Sequence, residues 1–124
     1  MGYDPNITDR SYLFGCLLAI ADKAESEAYD DAERNVRVTN ARRYWNAFSQ
    51  RPAQTWQLIE ERIRPYLNKL GKSQVKYTLW MNEISNKLDV EKFSNERLEP
   101  LYLLGYHNFN DYMYCGNRNE KTEE

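Results

Sequence analysis

Apolar positions are densest in the run Tyr12-Leu13-Phe14-Gly15-Cys16-Leu17-Leu18-Ala19-Ile20-Ala21, which holds no charged side chain. Asp9 and Ser11 stand where an N-cap accepts backbone N–H groups, and Leu13, Leu17, Ile20, Ala24 and Ala28 then recur at helical spacing. Phe14 and Leu18 add a second apolar line. Such a helix buries roughly half its circumference, where a surface helix buries a ~100° stripe. It is expected to run from about Tyr12 to about Tyr29. Glu25, Glu27, Asp30 and Asp31 oppose the macrodipole at its C-terminus, so its last turn is expected to fray.

Each later segment carries a single apolar stripe, as cover for a central helix would. Thr39 or Asn40 caps a second helix with Ala41, Tyr44, Trp45 and Phe48 on one face, ended by Arg51-Pro52. Pro52 to Leu70 forms a third, with Trp56, Ile59, Ile63, Tyr66, Leu67 and Leu70 aligned, a kink at Pro65, and Gly71 at C′. A fourth carries Tyr77, Trp80, Met81, Ile84 and Leu88. Ser94 is expected to cap a fifth, with Leu98, Leu101, Tyr102, Gly105 and Phe109 on its stripe. No run alternates with the period of a strand. The pattern predicts an all-α fold, a single compact bundle of about five helices around the apolar N-terminal one. Residues 1–8 read as a flexible lead-in, 9–114 as the bundle, and 115–124 as a polar, disordered tail.

The 124 residues suffice for one domain that buries a core without staples, and Gly and Pro are too few, five and four, for an unstructured body. Cys16 lies in the most apolar helix and Cys115 in a polar stretch, so spacing implies no disulfide. The apolar run follows no basic n-region and is shorter than a membrane span, which points to a soluble, cytoplasmic protein with no membrane contact.

Charge changes the picture more. The net charge of −2 conceals a block over residues 34–76 with ten basic and two acidic side chains, between acidic flanks of net −6 and −4. Solvated helix faces normally alternate in sign, so this asymmetry marks an interaction face. Its candidate phosphate-contacting residues are Arg34, Arg37, Arg42, Arg43, Arg51, Arg62, Lys69, Lys72 and Lys76. Arg43 lies nearly opposite the apolar stripe of the second helix, and Arg62 and Lys69, seven apart, share a line on the third. Tyr44, Trp45 and Trp56 sit on apolar stripes and read as core. Catalytic chemistry finds no support: there is no metal-ligand spacing, phosphate loop or nucleophile elbow, and no cofactor is expected. The lone histidine, His107, reads as a hydrogen-bonded packing residue.

These residues resemble the C-terminal helical region of the large subunit of type I-C CRISPR Cascade, a region also made separately as the small subunit. Tyr12-Leu13-Phe14-Gly15-Cys16-Leu17-Leu18-Ala19 is similar to the family's Tyr-Leu-x-Gly-Arg-Leu-x-Ala opening. Asn40 to Ser49 followed by Pro52-Ala53, then Tyr66-Leu67-Asn68-Lys69-Leu70, and finally Leu101 to Asn108 follow its later landmarks in order. Cys16 stands where the family has an arginine, Tyr66 where it has a histidine, and Asn108-Phe109-Asn110 replaces a Gln-Arg ending. The resemblance implies a non-catalytic bundle beside the Cascade backbone and large subunits and neighbouring copies of itself. There it would stabilise the R-loop through the phosphates of the target and displaced DNA strands, meeting crRNA only indirectly. On that reading Arg42→Ala with Arg43→Ala weakens target binding for all sequences alike. The alternatives are a helical protein-interaction module binding an acidic partner without nucleic acid, and a small helix-turn-helix regulator.

Overall fold

The computed structural model describes residues 3–123, with side chains at all of these except 31 and 115–123. Its axis is α1, Arg10–Ala28, whose N-cap Asp9 accepts the N–H groups of Ser11 (2.9 Å) and Tyr12 (3.3 Å). Every side chain from Ser11 to Asp22 is buried, as the doubled apolar line requires. Around it stand α2 (Asp31–Val36), α3 (Asn40–Arg43), α4 (Trp45–Gln50), α5 (Pro52–Lys69), α6 (Gln74–Lys87) and α7 (Leu101–Glu123). α3, α5, α6 and α7 each pack directly on α1. The described residues form an all-α bundle without strands.

Tight contact between α1 and α7 rests on two glycines. A Cβ on Gly15 would lie 2.0 Å from the Tyr102 carbonyl oxygen, and one on Gly105 would lie 2.1 Å from that of Tyr12. The backbones therefore touch where these glycines face each other, and the Cys16 thiol donates to the Gly105 carbonyl at 3.7 Å. The opening and closing landmarks of the sequence, far apart along the chain, meet at this crossing.

Four expectations need correction. The last turn of α1 is intact through Ala28, because the Arg34 guanidinium donates to the exposed carbonyls of Ser26 (3.2 Å) and Glu27 (3.3 Å). Residues after it form α2, nucleated by a capping box between Asp30 and Glu33. The second helix is broken at Tyr44 (φ −100°, ψ 19°) into α3 and α4. The break seats the Trp45 ring against Tyr102 (5.7 Å) and Tyr106 (5.1 Å) of α7, while Phe48 stays inside against Phe14 (5.8 Å). Tertiary stacking overrides the local helical pattern. Finally, Ser94 caps no helix: α7 starts at Leu101, just past Pro100. The Arg10 guanidinium holds the carbonyls of Lys92 (2.6 Å), Ser94 (2.8 Å) and Glu96 (2.6 Å), acceptors that a helix would use internally.

That non-helical segment also braces its neighbours. Asn95 accepts the Gln54 N–H (2.8 Å), capping α5 from across the fold, and the Leu98 N–H donates to the Ser49 carbonyl (2.8 Å). In the lead-in, Tyr3 is buried edge-on against Phe109 (4.8 Å), and its hydroxyl accepts from Lys87 Nζ. The α7 backbone continues helical to Glu123, over the stretch expected to be a polar tail, whose side chains lie outside the described residues. Gly71 has the positive φ (+59°) of a C′ residue, with open space around it.

The acidic end of α1 is a seam of tyrosine–carboxylate bonds. Tyr106 donates to Asp22 (2.5 Å), Tyr77 to Glu27 (2.5 Å), and Tyr29 to Glu25. Burial first, then the carboxylate partner, pushes all three hydroxyls above their ordinary value. An acid whose folded pKa is raised keeps its proton when the unfolded chain has lost it. Stability from these tyrosines is therefore fully present below pH ~10 and falls above it, by up to about 1.4 kcal/mol per pH unit for each. Urea midpoints measured from pH 8 to 11 should hold to about pH 10 and then drop. Tyr77→Phe should flatten the drop, and a flat wild-type profile to pH 11 would contradict the assignment.

Candidate nucleic-acid interface

α5 is the platform of the basic block. Trp56, Ile59 and Ile63 turn its apolar stripe toward the core, which leaves Arg62, Tyr66 and Lys69 as a second line at i, i+4 and i+7. The opposing wall comes from α3 and the residues before it. Thr39 caps α3, accepting the Arg42 N–H (3.3 Å) while its hydroxyl donates to Asp22 (2.6 Å). Asn40 is fixed by its N–H (2.8 Å) and its side-chain amide (3.0 Å), both donating to the fully buried Glu25.

Between these walls lies a cleft of ≈ 340 Å³ lined by Arg37, Asn40, Arg43, Arg62 and Tyr66, with Glu25 and Glu61 also present. Three of the nine candidate cations converge here, Arg37 from the residue after α2, Arg43 from α3 and Arg62 from α5. Arg37 is held in place: it pairs with Glu33 at 3.2 Å, and its guanidinium lies 5.4 Å from the Tyr29 ring and 5.6 Å from that of Tyr66. Tyr66, ahead of Glu33, keeps Arg37 above its ordinary pKa. Lys69 extends the line, its ammonium 5.8 Å from the Tyr66 ring. Arg43 and Arg62 are exposed. Buried Glu25 is occupied by Tyr29 and Asn40, so Glu61 is the exposed carboxylate on the rim.

The other candidates are dispersed. Arg34 and Arg42 border a separate polar cleft of ≈ 380 Å³ with Asp22 and Tyr106. Arg34 closes the end of α1, and Arg42 pairs with Asp22 at 3.4 Å, which holds its pKa above the ordinary value. Removing Arg42 thus also removes an ion pair to the bundle, so an Arg42, Arg43 double substitution changes more than surface charge. Arg51 borders a third groove, between α4 and α5. Lys72 is exposed in the turn after α5, and Lys76 turns back to Glu27 at 3.7 Å.

Tyr66 is the residue that sequence reasoning misplaced. Its position on an apolar stripe marks it as core, yet its ring is only part-buried and faces two cations; the signal was its spacing from Arg62 and Lys69. Arg64, exposed on α5, is a further cation of the block. Trp56 is core as expected, whereas Tyr44 and Trp45 are half-buried. His107 is exposed on α7 with its ring 5.6 Å from that of Tyr106, so it is not a packing residue. Among the described residues no group of histidine, cysteine or carboxylate side chains is arranged to hold a metal ion, and no helix is long and apolar enough to cross a membrane.

A family model described as CRISPR-associated protein (Cas_Csd1) matches residues 1–113. No curated protein matches the chain.

Proposed function

The chain belongs to the Cas_Csd1 family of CRISPR-associated proteins, and from that premise we propose that it is the non-catalytic small subunit of a crRNA-guided Cascade effector. In this role it stabilises the R-loop by holding DNA strands through their phosphates. The observation that carries the reading is the convergence of Arg37, Arg43 and Arg62 on one cleft. Guanidinium forks match phosphate oxygens, and a cleft lined by three of them suits a backbone rather than a base sequence. In a guided complex sequence readout falls to RNA–DNA pairing, so a strand-holding subunit needs neither nucleophile nor base-reading helix. Cascade backbone and large subunits, and neighbouring copies of the chain, would supply its protein contacts. A modest affinity per copy would then be multiplied by assembly.

The test is target-DNA binding by a guide-loaded Cascade backbone with the chain withheld, then supplied. Adding it should strengthen R-loop formation. Arg43→Ala with Arg62→Ala should weaken the gain on the order of ten-fold at physiological salt, equally for all target sequences. Two lost phosphate contacts on a single strand should also reduce the slope of log K against log salt by about 1.4. An unchanged salt slope in the double variant counts against the cleft. A chain that joins the complex without any salt-dependent effect favours the protein-interaction alternative.

A further inference from the structure

Next to the arginine cleft, and sharing Glu61 with it as a lining residue, is a groove of ≈ 580 Å³ between α4 and α5. Its construction differs. Tyr44 and Leu58 supply a half-buried, partly apolar lining, and Gln50, Gln54 and Gln57 bring three primary amides to it. Arg51 stands among them with no carboxylate partner among the described residues. The break at Tyr44 divides the two rings: Trp45 goes to α7, and Tyr44 is left lining the groove against α5.

An aromatic ring with amides and a guanidinium around it is complementary to a planar heteroaromatic group rich in donors and acceptors. Each glutamine offers both a donor and an acceptor, so the set accommodates different base edges without selecting one. Stacking on tyrosine is equally tolerant, because every base has a π-face. A base inside a duplex offers neither a free face nor a free pairing edge to such a groove. A polyanion seated in the neighbouring arginine cleft would carry its attached bases past Glu61 to this surface.

We propose that the α4–α5 groove takes an unpaired nucleobase of a strand whose phosphates lie against Arg37, Arg43 and Arg62. This rests on the nucleic-acid reading above and deepens it: the strand held is single-stranded where it meets this subunit. Arg51 then serves the base groove rather than the phosphate track.

The experiment compares the full chain binding a fluorescent oligothymidylate, an abasic deoxyribose-phosphate strand of equal length and charge, and a duplex, across a salt series. The abasic strand and the duplex should bind on the order of ten-fold more weakly than oligothymidylate, with the abasic strand keeping the same salt slope. Gln54→Ala with Gln57→Ala, both exposed side chains, should close most of the gap between the two single strands while helicity and Tm stay unchanged. Tyr44→Leu should also close the gap, with its helicity and Tm measured alongside because Tyr44 packs against the core as well. Equal affinity for the base-bearing and abasic strands overturns the base groove, and salt-dependent binding to both then leaves the arginine cleft standing. A gap that survives the glutamine and tyrosine substitutions places the base contact elsewhere and also overturns the proposal. No salt-dependent binding to either strand overturns both readings together.

Discussion

Gly105→Ala is expected to cost about 3 kcal/mol or more, a fall of roughly 10 °C in Tm. The new methyl would stand 2.1 Å from the Tyr12 carbonyl oxygen, and both atoms belong to helix backbones that cannot rotate away. α1 and α7 would have to separate by more than an ångström, and because α1 is packed on all sides, that movement opens gaps against α5 and α6 too. Gly15→Ala should behave alike, with its methyl 2.0 Å from the Tyr102 carbonyl oxygen. Gly71→Ala is the control: it has open space and suffers only the left-handed backbone penalty, on the order of 1 kcal/mol. Thermal melts of the three variants should separate the two crossing glycines clearly from the turn glycine. A Gly105→Ala protein melting with the wild type would show that the helices do not approach this closely.

Glu25→Ala should be comparably damaging, at about 3 kcal/mol. The side chain is fully buried and accepts three bonds, from the Tyr29 hydroxyl, the Asn40 N–H and the Asn40 amide. Truncation leaves these buried and part-buried donors without their acceptor, at a cost of about 1–3 kcal/mol for each that water does not reach. Glu25→Gln keeps a carbonyl for Asn40 and lets the tyrosine hydroxyl accept instead of donate, so it should lose markedly less. Because Asn40 begins α3, Glu25→Ala should also loosen the wall of the arginine cleft. If the cleft holds phosphates as proposed, nucleic-acid affinity should therefore fall even at temperatures where the variant remains folded. A neutral Glu25→Ala in urea denaturation would refute the role of this carboxylate.

These positions show how differently the two levels of information act. Gly15 is visible in the sequence within the apolar run and Gly105 on an apolar stripe, but nothing local says that they oppose each other. Glu25 reads as an unfavourable charge at a helix C-terminus because Asn40, which gives it two of its three bonds, reaches it only after α3 folds back. Arg34 reads as a candidate phosphate contact because the carbonyls of Ser26 and Glu27 are absent from a sequence pattern. In each case the side chain meets a group that its local helical pattern does not bring beside it.

The sequence by itself determined the class of fold, the central helix and its Asp9 cap, the span of α5 to within a residue, and the apolar stripe of α6. It also located the basic block and the family landmarks. Those features depend on residue spacing within a few turns, where hydrophobic period, proline, glycine and capping side chains act locally. Only the tertiary structure decided that Tyr44 interrupts a helix and that residues 89–100 form turns and bends held by Arg10 instead of a helix. It alone brought Arg37, Arg43 and Arg62 to one cleft while giving Arg34 and Arg42 partners on α1. Those outcomes depend on which groups become neighbours when helices pack, and electrostatic partners and ring stacks act over a few ångströms in space, however far apart they lie along the chain.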